Sequence, residues 1–254
     1  MTQITATLID SMGSDLSVVN AARVSFGKKS EWDYTCKCGI KKAPDADYNK
    51  WMGCGADQRD CHNTRKNKSL KGSDAKLIKY LAKHKHLSPF GHAFASFHIK
   101  APIFVGRQLV KHKFLRWNEI SRRYVDDEPE FYTPDVWRGR SADKKQGSEG
   151  VVKPVIYGKV GGTTPTDFAH GDLSLYNMLL EQGVAPEQAR MVLPQSTMTE
   201  WYWSGSLDAF AAMCRLRCAT DTQYESRLVA NPISDIMAGL FPVSWAALTK
   251  GGTE

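Results

Sequence analysis

Between positions 107 and 123 the chain carries Arg107, Lys111, Lys113, Arg116, Arg122 and Arg123, with His112, against a single acid, Glu119. Lysine and arginine neutralise phosphate oxygens, and arginine does so with a planar fork of donors. Asn118, Glu119 and Ser121 add polar groups able to read a sugar or a base edge. Packed closely and unpaired, such cations repel one another, and a bound anion relieves that repulsion. The plain alternative is a solvated basic face. Phe114, Leu115, Trp117 and Ile120 are threaded through the run, and a purely solvated face should not be so apolar. Partial burial around an anionic ligand is the better account.

The elements on either side must hold this run in place. Ala93, Ala95, Phe97 and Ile99 alternate with Phe94, Ser96, His98 and Lys100, which predicts a strand with one apolar face. Pro102 stands where a helix would begin, and a helix through Phe104, Val105, Leu109 and Val110 carries Gln108, Lys111 and His112 towards its end. Upstream, residues 3–9 read as a strand, and Ser14 or Asp15 can cap a helix with Leu16, Val19 and Ala22. Asp74 to His84 reads as a helix, followed by a turn from His86 to His92. Downstream, helices are expected over about 173–182, from Pro186 into Met191, and over 207–216, 222–230 and 234–240, while Trp201-Tyr202-Trp203 forms an aromatic knot.

These elements give an α+β class: a single compact domain with a central antiparallel or mixed sheet packed with helices, interrupted by two long insertions. Its 254 residues, 42% of them hydrophobic, suffice for one real core. The first insertion, residues 27–72, holds 11 Lys/Arg against 6 Asp/Glu, a local charge of 11 − 6 = +5 within a net +7, and four of the six cysteines. Cys36, Cys38, Cys54 and Cys61 could bind zinc as four thiolates, but the spacing is not the usual Cys-x-x-Cys pair, so reduced thiols and no metal are expected. The second, residues 135–170, is poorly patterned. No apolar run approaches the roughly 20 residues that cross a bilayer, and the N-terminus lacks the plan of a signal peptide. A cytoplasmic protein with no membrane partner is therefore expected.

The triplet Lys111-His112-Lys113, seven residues, Ser121, then Arg123-Tyr124 resembles the signature of the flavin-dependent thymidylate synthases, Arg-His-Arg, seven residues, Ser, then Arg-Tyr, with Asn118-Glu119 at that family's Asn-Glu pair. The likeness extends along the chain in family order. Residues 21–26, the turn His86 to His92, the lead-in helix from Ala101 to Gln108, Ala189-Arg190 to Pro194, and Leu216-Arg217 with Gln223 and Glu225 each match a family segment. Segments 27–72 and 135–170 are not covered. Lys111 and Lys113 stand for arginines, Arg116 for a small polar residue, and Asp221 and Ala212 for a His and an Asn found in some members.

The resemblance implies reductive methylation of dUMP to dTMP with FAD, 5,10-methylenetetrahydrofolate and NADPH or NADH, in a homotetramer whose active sites are shared between subunits. It places dUMP on Gln108, Lys111, Glu119, Ser121, Arg122, Arg123, Arg190 and Arg217, and FAD on Ser88, Lys111, His112, Lys113, Glu119 and Ser206. Ser25 and His86 are expected as flavin neighbours. Arg217 is the expected catalytic residue, set against the uracil to stabilise negative charge developing on the ring.

Methylation at carbon 5 needs that carbon made nucleophilic. Cys214 and Cys218, spaced i, i+4 on an apolar helix, read as packing residues, and Ser121 has no identifiable base beside it. A route without covalent attachment to the protein follows. Two rivals stand: a basic nucleic-acid-binding protein, expected to be colourless and salt-sensitive, or a family member with altered or lost activity. The family reading expects no nucleic-acid partner.

Overall fold

The structure, a computed structural model, describes residues 3–35, 67–125, 127–142, 147–154, 156–157 and 162–250. In chain order its elements are β1 (Thr5–Met12), α1 (Asp15–Arg23), β2 (Asp33–Thr35), β3 (Asn67–Ser69), α2 (Gly72–Lys83), β4 (Phe94–Pro102), α3 (Ile103–Leu109), β5 (Leu115–Glu119), β6 (Trp137–Arg140), β7 (Ser148–Val152), β8 (Ile156–Tyr157), β9 (Gly162–Thr163), α4 (Pro165–Glu181), α5 (Pro186–Ala189), β10 (Met198–Ser206), α6 (Leu207–Arg217), α7 (Tyr224–Leu240) and α8 (Pro242–Lys250). Short 3-10 turns occupy Val24–Phe26, Ser88–His92 and Arg190–Val192. The α+β class is as expected. Cys36, Cys38, Cys54 and Cys61 lie outside the described residues. Among the described residues, no helix is long and apolar enough to cross a membrane.

The chain gathers into two compact units, Met1–Ser11 with Phe94–Gly239 and Met12–Ala93 with Leu240–Glu254. The first holds a sheet in the order β1-β4-β10-β5. β10 runs antiparallel to β4, Met198 opposite Pro102 and Ser206 opposite Phe94, and antiparallel to β5, Trp201 opposite Glu119 and Gly205 opposite Leu115. The alternation in β4 falls as its sequence predicts: Ala95, Phe97, Ile99 and Ala101 are buried. Phe97 and Trp203 both meet Phe210 of α6 edge-on, with ring centroids 5.2 and 5.7 Å away, and Trp117 stacks on Trp201 at 4.2 Å. Burying rings of this size supplies most of the drive that fixes helix to sheet. The opposite face is polar, with Ser96 bonded to Ser204 at 2.8 Å and His98 to Glu200 at 3.0 Å.

The second unit is built round a buried carboxylate. Asp74 of α2 is fully buried, and it takes the guanidinium of Arg23 and the hydroxyl of Ser30. Asp15 is buried too, but it does not cap its own helix. Its carboxylate accepts N–H groups of Val243 (3.0 Å) and Ser244 (2.8 Å), in the first turn of α8.

Several elements differ from the sequence expectation for identifiable reasons. The aromatic knot is strand β10, in which Trp201 and Trp203 are buried while Tyr202 is exposed. Helix α4 begins at Pro165, well inside the stretch read as irregular. Thr164 and Asp167 close a capping box there, with the Thr164 N–H 2.7 Å from Asp167 Oδ2. The same stretch forms the hairpin of β6 and β7. The two helices expected over 222–240 are one, α7, which continues through Pro232.

Candidate active site

Helix α3 descends from β4 and ends at Leu109, and the cationic triplet follows in a tight loop before β5 begins at Leu115. Phe114 closes that loop in the left-handed region, φ 65°, with 82% of its surface exposed. A left-handed residue other than glycine is uncommon and marks a backbone held by its surroundings. β5 then pairs with β10, so the second half of the motif is fixed by a central strand.

At the centre lies Arg217, the last residue of α6. Its Nε donates to His112 Nε2 at 2.9 Å, and its terminal nitrogen donates to the Gln108 backbone carbonyl at 3.4 Å. Arg217 thus meets two residues of the segment around the cationic triplet, more than 100 positions earlier. Partial burial, with the adjacent guanidinium, lowers the His112 pKa to about 4. The ring is neutral near pH 7. Since Nε2 accepts, its proton sits on Nδ1.

Glu119 is pinned at both oxygens. Thr199 Oγ1 donates to Oε1 at 2.7 Å and Trp117 Nε1 to Oε2 at 3.1 Å. Ser121 Oγ accepts the Arg123 N–H at 3.3 Å. Among the described residues no general base contacts that hydroxyl. Arg122 donates to the Asp127 carbonyl. Arg123 pairs with Glu187 at 3.4 Å, which ties the motif to α5, and exposed Arg190 follows directly after that helix. Gln108 donates to Gln223 and accepts from Ser226.

Ser206 precedes α6, and its hydroxyl donates to Asp208 at 2.6 Å. Ser88, Ser25 and His86 are exposed residues of the second unit. Cys214 is buried, and its thiol pKa is raised by hydrogen bonding with Cys218 and by burial, so it is a poor nucleophile. Sequence reading missed Arg138 on β6, which pairs with buried Glu225 and lies over the Tyr224 ring at 4.3 Å. A pocket of about 430 Å³ adjoins this pair, lined in part by Phe104, Tyr132, Trp137 and Gln223. Tyr132 is pushed up to about 12 by burial and by the Glu225 carboxylate.

The residue set suits a flavin nucleotide. Lys111 and Lys113 are exposed, and neither takes part in an ion pair among the described residues. They flank a neutral histidine with an N–H to offer. Unpaired cations beside an exposed aromatic ring are the donor set a pyrophosphate and a flat ring system require.

The family model described as thymidylate synthase complementing protein matches residues 7–243. The flavin-dependent thymidylate synthase of Thermus thermophilus is 36% identical over 247 residues, 96% of this chain and 74% of that protein. The protein of the same name from Thermosipho africanus is 33% identical over 243 residues, 96% of this chain and 90% of that one. The chain belongs to the flavin-dependent thymidylate synthase family. Among solved structures, the UMP/dUMP methylase PolB from Streptomyces cacaoi, bound with 5-Br dUMP, superposes with a TM-score of 0.69 at 29% identity, covering 98% of this chain and 96% of that one. Membership makes the chain an enzyme of the methyltransferase class. It also gives the Arg217–His112–Gln108 contact a chemical setting.

Proposed function

We propose that this enzyme converts dUMP to dTMP, with FAD as cofactor, 5,10-methylenetetrahydrofolate as one-carbon donor and NADPH as reductant. The observation that carries the proposal is the anchoring of Arg217. Two acceptors hold its guanidinium, a neutral His112 ring and the Gln108 carbonyl. A donor whose orientation is fixed in advance costs no reorganisation when charge develops on a substrate.

Gln108, Lys111, Glu119, Ser121, Arg122, Arg123 and Arg190 would hold dUMP, with Arg217 against the uracil. Arginine forks suit the 5′-phosphate, and Glu119, fixed by Thr199 and Trp117, would accept from a sugar or base. Ser88, Lys111, His112, Lys113, Glu119 and Ser206 would hold FAD, which when bound supplies the redox chemistry that a methylene-to-methyl conversion needs. The residues themselves orient the pyrimidine and polarise it. Neither Ser121, which lacks a base, nor Cys214, a buried thiol, supports attachment of carbon 6 to the protein. Arg190 and Met191 are exposed on a single chain, in keeping with a homotetramer in which a neighbouring subunit completes each site.

The test is single-turnover chemistry on the reduced flavoprotein. Purified protein is expected to be yellow, and dUMP should accelerate oxidation of the reduced flavin. dTMP should form only when methylenetetrahydrofolate is present. UMP is the comparison substrate, since PolB is described as acting on both nucleotides. A colourless protein that binds polynucleotide in a salt-sensitive manner would sink the proposal.

A further inference from the structure

The Gln108 carboxamide is one end of a polar chain that reaches the β6–β7 hairpin. Its Nε2 donates to Gln223 Oε1, and Gln223 Nε2 donates to Glu225 Oε2 at 3.1 Å. Ser226 Oγ donates to Gln108 Oε1 at 3.2 Å. The other Glu225 oxygen takes the Arg138 guanidinium, whose Nε donates to Ser148 Oγ at 2.9 Å across the hairpin. Glu225 and Ser226 are buried.

From Ser226 through Gln108 and Gln223 every bond points towards Glu225, which also accepts from Arg138 on its other oxygen. An ionised carboxylate accepts and cannot donate. Gln223 must therefore turn its NH2 towards Glu225 and its carbonyl towards Gln108. Gln108 must then turn its NH2 towards Gln223 and its carbonyl towards Ser226. A primary amide left alone flips readily between its two ends. Here one buried charge decides both amides. One N–H of Gln108 is used inside the chain, and the second has no partner among the described residues.

We propose that Glu225, paired with Arg138, is a positioning residue that locks Gln108 as an N–H donor towards an oxygen of the bound nucleotide. Arg138 lies on β6, so the proposal makes the β6–β7 hairpin a part of substrate recognition. The inference rests on the reading that Gln108 touches dUMP. A simple fastening of hairpin to helix would need only Arg138 and Glu225. The two amides extend it to the residue whose backbone carbonyl holds Arg217.

The experiment measures the dUMP dissociation constant of the flavin-loaded enzyme without turnover, beside steady-state kcat and KM, for wild type, Glu225→Gln, Arg138→Ala and Arg138→Lys. Glu225→Gln lets both amides reverse and should raise Kd and KM roughly 10- to 100-fold, the span expected when a hydrogen bond tied to a charged group is lost. The kcat should stay within about threefold, since the chain orients a binding donor. Arg138→Ala should follow Glu225→Gln, and it keeps the test alive if the buried substitution impairs folding. Arg138→Lys, which keeps charge but loses the fork, should recover part of the affinity. A purely structural role would lower thermal stability and leave the affinity of the folded fraction unchanged, and that result overturns the inference. Wild-type enzyme that fails to bind dUMP overturns the inference together with the proposed function, whereas normal wild-type binding with unaltered variants overturns the inference alone.

Discussion

Arg217 Nε and His112 Nε2 lie 2.9 Å apart, and this bond joins the end of helix α6 to the loop after helix α3. Only a neutral histidine can accept it. Arg217→Ala removes the donor proposed to lie against the uracil and should lower kcat roughly 100- to 1000-fold, the cost of losing one preorganised donor. Arg217→Lys keeps the charge but cannot reach both His112 and the Gln108 carbonyl with a planar fork, and should recover less than half of that loss on a logarithmic scale. Single-turnover rates of dTMP formation measure both. Near-wild-type rates in Arg217→Ala would remove the catalytic role.

The same contact makes a prediction for pH. The folded pKa of His112 is lowered to about 4, against about 6.5 in an unfolded chain. Between these values the unfolded state binds the extra proton and the folded state does not. Stability therefore falls as pH drops from 6.5 towards 4, and below 4 this group adds no further loss. The change is modest, because the ring is only half-buried. His112→Asn keeps an acceptor without a titrating group. Urea midpoints of the two proteins should converge as pH falls through that window, and parallel curves would refute the assignment.

Much of the site is legible in the sequence because it is local there. The cations, the pair Asn118-Glu119 and Ser121 all lie in one run, and β4 announces itself by strict alternation. The unread parts depend on partners far along the chain. Trp201 and Trp203 alternate with exposed Tyr202, a strand signal masked by its aromatic density. Strand β5 hides inside the charge run because Leu115 and Trp117 face inward while Arg116 faces out. Arg138 carries no motif, and its role rests on Glu225, 87 positions away. Ser14 or Asp15 reads as the cap of α1; Ser14 takes that place, while Asp15 holds an N–H of α8, 228 positions downstream.

That long-range cap is open to test. Asp15→Ala leaves the Val243 and Ser244 N–H groups without an acceptor in a buried setting. The loss should be about 1–3 kcal/mol, read as a lowered urea midpoint. Amide protection should fall first in α8. Equal loss of protection throughout the chain, with α8 unaffected relative to the rest, would contradict the capping role.

Gly205 sits in β10 opposite Leu115, where β5 leaves the cationic loop. A Cβ added there would meet the Phe114 carbonyl oxygen at 3.0 Å and the Leu115 side chain closer still. The Phe114 backbone, already left-handed at φ 65°, has little room to yield. Gly205→Ala should therefore displace β5 and the loop with it, costing about 1–3 kcal/mol of stability and weakening flavin retention measured by absorbance after gel filtration. Gly239 supplies the contrast. It lies inside α7 with nothing within 4 Å of an added Cβ. Gly239→Ala should stabilise the enzyme by about 0.4–1 kcal/mol through the unfolded chain and leave flavin content unchanged. If both substitutions act alike, close approach of β10 to the loop is not what demands glycine at 205.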